Sequence, residues 1–254
     1  MRGAIGGSVP ALLDRATPPT PLERAPVQRP PSRPWADFAQ RTASAVVLLP
    51  LALLCIWWGG APWAALMAAG AVTLVVEWFA MARAGQLPTA VFLAGVGYVG
   101  LALLSLVWLR ADPATGRANV LFLLVVVWAS DVGAYLFGRW IGGVRLAPSI
   151  SPGKTWSGTI GGVGVAVLAG LAVSWHWPHG AWSATSVLAV IICLASQAGD
   201  LLESAAKRRC GVKDSGRLIP GHGGLADRVD GVLLAAPVMA ALGLWLGRGI
   251  VLWN

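Results

Sequence analysis

The sequence predicts an all-α protein, a polytopic membrane bundle of about seven transmembrane segments with its active site at the cytoplasmic face. Three observations lead there. Hydrophobic residues make up 56% of the 254 residues and charged residues 12%, against roughly 25% charged in soluble domains; mean hydropathy is +0.69. Apolar runs recur at close to the ~20 residues that cross a bilayer. The polar residues are concentrated, above all in Ser204 to Asp230, which holds six of the nineteen Lys and Arg, three Asp and His222. Such a stretch is costly in lipid and cheap in water. It is therefore expected as a surface loop that carries the chemistry, held by the apolar runs on either side.

Residues 1–40 contain eight of the seventeen prolines and read as a mobile tail, because so little apolar surface cannot offset the entropy of ordering it. The remainder, 41–254, is expected as one transmembrane domain. Arg and Pro interrupt the tail before any apolar stretch forms, so it is a poor signal peptide. Trp35 and Phe38 are candidates to touch the membrane interface.

The apolar segments are expected at 43–59, 61–82, 89–109, 119–138, 158–175, 183–202 and 231–247. Only Gly-Gly-Ala-Pro joins the first two, as a helical hairpin or with one segment re-entrant. Gly158 and Gly162 open the fifth with a GxxxG pair, which lets helix backbones approach closely. Trp57, Trp58, Trp63, Trp175, Trp177 and Trp182 fall near segment ends, as interfacial anchors do. His176 and His179 read as interfacial for the same reason.

Loop charge sets the orientation. With the N-terminus cytoplasmic and seven spans, sixteen of the nineteen basic residues fall on the cytoplasmic side; only Arg110, Arg117 and Arg248 fall on the other. A net charge of +8 would suggest nucleic acid in a soluble chain. Here the basic residues lie mostly between apolar runs, so lipid headgroups and phosphorylated substrates are the expected partners. The cysteines, Cys55, Cys193 and Cys210, form no CxxC pair and suggest neither zinc nor a disulfide framework.

Two polar loops share the cytoplasmic side, 139–157 and the long loop. Asp131 and Asp200 lie near them, at the ends of the fourth and sixth segments, and a carboxylate in a span is a functional candidate by default. Asp227 and Asp230, three residues apart, project from one face of a helix that starts near them. They serve as helix caps or as metal ligands; with Asp214 and Arg228 nearby, metal ligation is the favoured reading. Carboxylates on a Gly-rich surface suit Mg²⁺, which shares its shell with substrate phosphates, and Lys and Arg beside it suit phosphate anions. Together they describe phosphoryl or nucleotidyl transfer. His222, in Pro-Gly-His-Gly-Gly, is placed to bind phosphate or to shuttle a proton.

Ser151-Pro-Gly-Lys-Thr155 ends in the Gly-Lys-Thr of a P-loop, but Pro148 stands where the first Gly belongs. The strand-to-helix context that motif needs is not expected either. Lys154 and Thr155 remain candidates to hold an anion at a helix N-terminus.

These residues resemble the signature of the phosphatidate cytidylyltransferase (CDP-diacylglycerol synthase) family. They appear here as Ser204, Lys207-Arg208, Lys213-Asp214, Pro220, His222-Gly223-Gly224, Asp227-Arg228 and Asp230, at the family's spacing, with Ala206 smaller than the usual aliphatic residue. Asp131-Val-Gly-Ala-Tyr135 with Gly138-Arg139 is similar to the family's acidic helix motif. Ser151 to Thr155 is similar to its Ser-Pro-Lys-Lys-Thr motif. Gly153 replaces the first Lys and Ser157 stands where Glu is usual, so only Lys154 and Thr155 carry over. The resemblance covers about 43–254.

It implies transfer of CMP from CTP to phosphatidic acid, giving CDP-diacylglycerol and pyrophosphate, by a multi-pass enzyme of the inner membrane. It implies dependence on Mg²⁺, in a centre that also takes K⁺, and a homodimer. The catalytic residues expected are Asp227, Asp200, Lys213 and His222. Substrate would be bound by Lys154, Thr155, Ser204, Lys207, Arg208 and Arg228. The metal ligands would come from Asp131, Asp200, Asp214, Asp227 and Asp230.

Three other functions share some of these features. A transporter would line several helices with charge at mid-depth, whereas here charge gathers in one loop. A CDP-alcohol phosphotransferase would carry Asp-Gly, two residues, then Ala-Arg, which is absent. A polyprenol kinase needs metal and nucleotide as well, and substrate tests separate it.

Overall fold

The structure is a computed structural model and describes residues 34–175, 181–216 and 223–246, with side chains from Val46 onward. The described residues form seven α-helices: α1 (Pro34–Trp58), α2 (Gly60–Ala84), α3 (Thr89–Ala111), α4 (Gly116–Trp140), α5 (Trp156–Ser174), α6 (Trp182–Arg209) and α7 (Ala226–Trp245). Six of them, α2 to α7, are long and apolar enough to cross a membrane. The described apolar part of α1 is shorter, Val46–Trp58. The multi-pass α-helical bundle expected from the sequence is present.

Several boundaries differ from expectation. α1 begins at Pro34, inside the stretch read as tail; Pro is well suited to a first helical turn, where its missing N–H has no partner to lose. α6 runs to Arg209 and α7 starts at Ala226, so both ends of the presumed long loop are helical. Glu, Ala, Lys and Arg are strong helix formers, and a helix need not end where its apolar segment leaves the bilayer. α1 and α2 are separated by Gly59 alone, with Gly59 and Gly60 at φ 66° and 51°. That backbone is cheap only for glycine, and it breaks one long apolar stretch into two helices.

The sequence reading missed a two-stranded antiparallel sheet, β1 (Arg145–Ala147) with β2 (Ser151–Thr155), between α4 and α5. β2 runs directly into α5. The strand-to-helix context is thus present after all, in a hairpin that lacks the first P-loop glycine.

α5 packs against α4 along the predicted small-residue face. A Cβ on Gly158 would sit 2.7 Å from the Ala134 carbonyl, and one on Gly162 2.9 Å from that of Ser130. Side chains there would force the helices apart. Phe122, Leu123, Val126, Ile192 and Met239 form the fully buried centre. Trp57, Trp58, Trp175 and Trp182 are exposed at helix ends as expected. Trp63 is not: it is 5% exposed and its indole N–H donates to the Leu106 carbonyl. Inward packing of a residue in the first turn of α2 is a tertiary choice that segment position does not reveal. His176, His179 and Trp177 lie outside the described residues, as does the tail before Pro34. All three cysteines are free.

Candidate active site

The polar residues gather at one end of the bundle, where α4 and α6 finish and α5 and α7 begin. α6 supplies Asp200, Glu203, Ser204, Lys207 and Arg208. Asp200, Ser204, Lys207 and Arg208 fall at helical spacing on one side of it. α7 supplies Asp227 and Asp230 in its first turns, α4 supplies Asp131, and the hairpin supplies Lys154.

Lys154 Nζ lies 2.5 Å from Asp200 Oδ2, and Ser204 Oγ donates to Asp200 Oδ1 at 3.3 Å. The hairpin is also tied to α6 by Arg208 Nε, which donates to the Ile150 carbonyl at 3.3 Å. Lys207 Nζ stands between two carboxylates, 2.7 Å from Asp227 Oδ1 and 3.2 Å from Glu203 Oε2. Asp131 is exposed, on a side of α4 from which it interacts electrostatically with Asp230, Asp200 and Lys154. Thr155 is the N-cap of α5; its Oγ1 accepts from Gly158 N at 3.1 Å. That hydroxyl is therefore engaged in holding the helix.

Asp227 is heavily engaged too. Oδ2 accepts from Ser215 N at 3.1 Å, Ser215 Oγ at 3.0 Å and Gly224 N at 3.2 Å, while Oδ1 takes Lys207. It fastens Ser215 and Gly224 to α6 and α7. The N-terminus of α7 is capped by a residue the sequence reading did not single out. Glu77, on α2 and 2% exposed, accepts from Leu225 N at 2.8 Å and Ala226 N at 2.9 Å, and from Ser215 Oγ at 3.3 Å. One signal was available: Glu77 is the only carboxylate in the second apolar segment, and such a residue has a reason to be there.

Lys213 and Asp214 are exposed on the loop, and Arg228 is exposed on α7. His222 lies outside the described residues. Seven of the expected residues, Asp131, Lys154, Asp200, Ser204, Lys207, Asp227 and Asp230, thus share one linked cluster with Glu203 and Glu77.

The carboxylates of the cluster are the donors a hard cation takes. Among the described residues no three His, Cys, Asp or Glu side chains are grouped to enclose a metal. A Mg²⁺ held by one or two carboxylates, with waters and phosphate completing its shell, needs no such enclosure. Glu203 Oε2 is answered only by the Lys207 ammonium at 3.2 Å, and Glu203 Oε1 is buried with no hydrogen-bond partner among the described residues. Buried acceptors in that condition are costly. With Asp200 and Asp230 alongside, the all-oxygen set fits such a cation.

A cavity of about 720 Å³ opens beside this cluster, between α2, α3, α6, α7 and the hairpin. Leu74, Trp78, Tyr98, Leu202 and Leu233 give it apolar walls, and Glu203, Asp230 and Arg208 also line it. It offers one molecule both an apolar surface and a charged boundary.

Residues 85–245 match the cytidylyltransferase family. A phosphatidate cytidylyltransferase of Brucella suis biovar 1 is 47% identical over 179 residues, covering 70% of this chain and 63% of that protein. One from Rickettsia bellii is 34% identical over 214 residues, covering 81% of this chain and 91% of its own length. One from Synechocystis is 44% identical over 128 residues, 49% of this chain and 43% of the relative. The chain thus spans somewhat under two thirds of the Brucella protein it matches. Glu77 lies outside the matched family region.

Proposed function

Because this chain belongs to the cytidylyltransferase family, we propose that it transfers CMP from CTP to phosphatidic acid, releasing pyrophosphate and forming CDP-diacylglycerol. The observation that carries the reading is the juxtaposition of the apolar cavity with the Lys154–Asp200 and Lys207–Asp227 cluster. A diacyl lipid with a phosphate monoester head needs both. Its chains would lie against the apolar wall and its headgroup would meet the charged end. A soluble nucleotide has no use for so large an apolar surface, and a simple hydrocarbon has none for the ion pairs.

In this reading a phosphate oxygen of phosphatidic acid attacks the α-phosphorus of CTP; the bond from that phosphorus to the bridging oxygen breaks, and pyrophosphate leaves. Both reactants are anions and repel. Lys154 and Lys207 lower that repulsion by standing beside the phosphates, and a protein that presents fixed charge where charge develops need not reorganise during reaction. Asp200, Glu203 and Asp230 would hold Mg²⁺, which supplies charge neutralisation between the two substrates. Asp227 orients Lys207 and the loop. Lys213, Arg228 and His222 are assigned to the substrate phosphates. The site end faces the cytoplasm, where CTP is found, and the bundle sits in the inner membrane. Sixteen basic residues on that side support this orientation.

The test offers purified protein CTP and Mg²⁺ with either phosphatidic acid or a polyprenol. Phosphatidate-dependent pyrophosphate release is expected. Release of CDP with phosphorylation of the polyprenol would overturn the proposal and make the protein a lipid kinase.

A further inference from the structure

At the end of the bundle away from the carboxylate cluster, the C-termini of α1 and α3 meet the N-termini of α2 and α4 around a cleft of about 580 Å³. We propose that this cleft binds the phosphodiester headgroup of an anionic phospholipid from the leaflet opposite the active site. The proposal stands on the geometry of that end and not on the activity.

Two guanidinium groups line the cleft, Arg110 and Arg117. Arg110 is 8% exposed. Its Nε donates to the Ile56 carbonyl at 2.6 Å and Nη2 to that of Trp57 at 3.1 Å, so it closes the C-terminus of α1. Nη1 has no acceptor among the described residues. Gly59 permits this placement: a Cβ there would lie 2.5 Å from Nη2. Arg117 lies over the Trp57 ring at 4.7 Å from its centroid, and near enough to Arg110 for the two charges to repel.

Among the described residues no carboxylate pairs with them. Asp112 is nearest in sequence, but its Oδ1 accepts from Ala114 N at 2.8 Å and Thr115 N at 2.9 Å. These bonds, Thr115's first, hold its carboxyl below the usual range, so it is charged yet turned into its own loop. The cleft wall includes Ala111 and Pro113 on either side of it and not Asp112 itself. α2 also begins at the cleft with no side-chain cap and no acid in its first turn, so the positive end of its dipole adds to the two guanidinium groups. Two cations and a helix N-terminus therefore converge with no carboxylate paired to either arginine among the described residues, and only Arg110 is partly answered, by the α1 carbonyls. An arginine pair favours phosphate, which accepts several N–H bonds at once.

The occupant is a lipid because the rest of the wall is apolar and aromatic. Trp57 and Trp58 are 62% and 68% exposed at the rim, at the depth where indole rings sit against glycerol and upper acyl carbons. A free anion would leave those faces unused.

The test is native mass spectrometry of the detergent-purified protein with phosphatidylglycerol or phosphatidylcholine as probe. The parent should retain one phosphatidylglycerol about tenfold more tightly than phosphatidylcholine, and Arg117→Gln should abolish most of that preference, a difference near 1.4 kcal/mol. Arg110→Gln should do the same; should it fail to fold for want of the α1 cap, Arg117→Gln leaves that cap intact and decides alone. Lys154→Ala should leave retention unchanged, and excess inorganic phosphate should not displace the lipid. Equal retention of the two lipids, unchanged preference in Arg117→Gln, loss in Lys154→Ala or displacement by inorganic phosphate would each overturn the proposal.

Discussion

Glu77 Oε2 accepts the backbone N–H of Ala226 at 2.9 Å, joining α2 to the first residue of α7 across 149 positions of sequence. Because Glu77 also takes Leu225 N and Ser215 Oγ, one buried carboxylate terminates a helix and anchors Ser215, which Asp227 binds as well. Helix N-termini leave donors that something must satisfy, and here a different helix does it. Glu77→Gln would turn an amide NH₂ toward donors. We expect it to cost about 1–3 kcal/mol, the penalty for buried groups left unsatisfied. Thermal unfolding in detergent should show a lower Tm; an unchanged Tm would mean the loop holds α7 without Glu77.

Asp227 separates cap from catalyst less cleanly than its sequence position suggests. Were it an ordinary cap, Asn would serve nearly as well. Its oxygens instead answer Lys207, Ser215 and Gly224 together. Asp227→Asn should therefore lose most cytidylyl transfer and also lower Tm, because Lys207 loses a partner and the loop an anchor. Full turnover with unchanged Mg²⁺ dependence would remove Asp227 from the site.

Lys154→Ala should behave differently. The Lys154–Asp200 pair is partly exposed, with side chains 23% and 33% accessible, and such pairs contribute about 0–1 kcal/mol. Turnover is expected to fall at least tenfold while Tm stays within a few degrees. Normal kinetics would return the hairpin to a structural role.

The orientation calls for a labelling site that the fold tolerates. Gly216 is unsuitable, since a Cβ there would approach Glu77 Oε1 to 2.9 Å. Lys213 is exposed on the same loop. In a background without Cys55, Cys193 and Cys210, Lys213→Cys should react with an impermeant thiol reagent only from the cytoplasmic face. Reaction from outside intact cells would invert the topology.

The sequence by itself determined the class of protein and the cast of the site. Membrane helices announce themselves because lipid demands long apolar runs, and charge in such a chain is scarce enough that each cluster is visible. Asp131, Lys154, Asp200, Lys207, Asp227 and Asp230 were all legible for that reason. What only the tertiary structure decided is how they are partnered. The pairing of Lys154 with Asp200 depends on a hairpin whose five-residue strand has no strong alternation to betray it. The capping of α7 by Glu77 and the turning inward of Trp63 depend on which helix faces which. Apolar periodicity says that a helix has neighbours. It does not say which polar group a neighbour will bring, because hydrogen bonds between distant segments are fixed by packing and leave no local pattern in the chain.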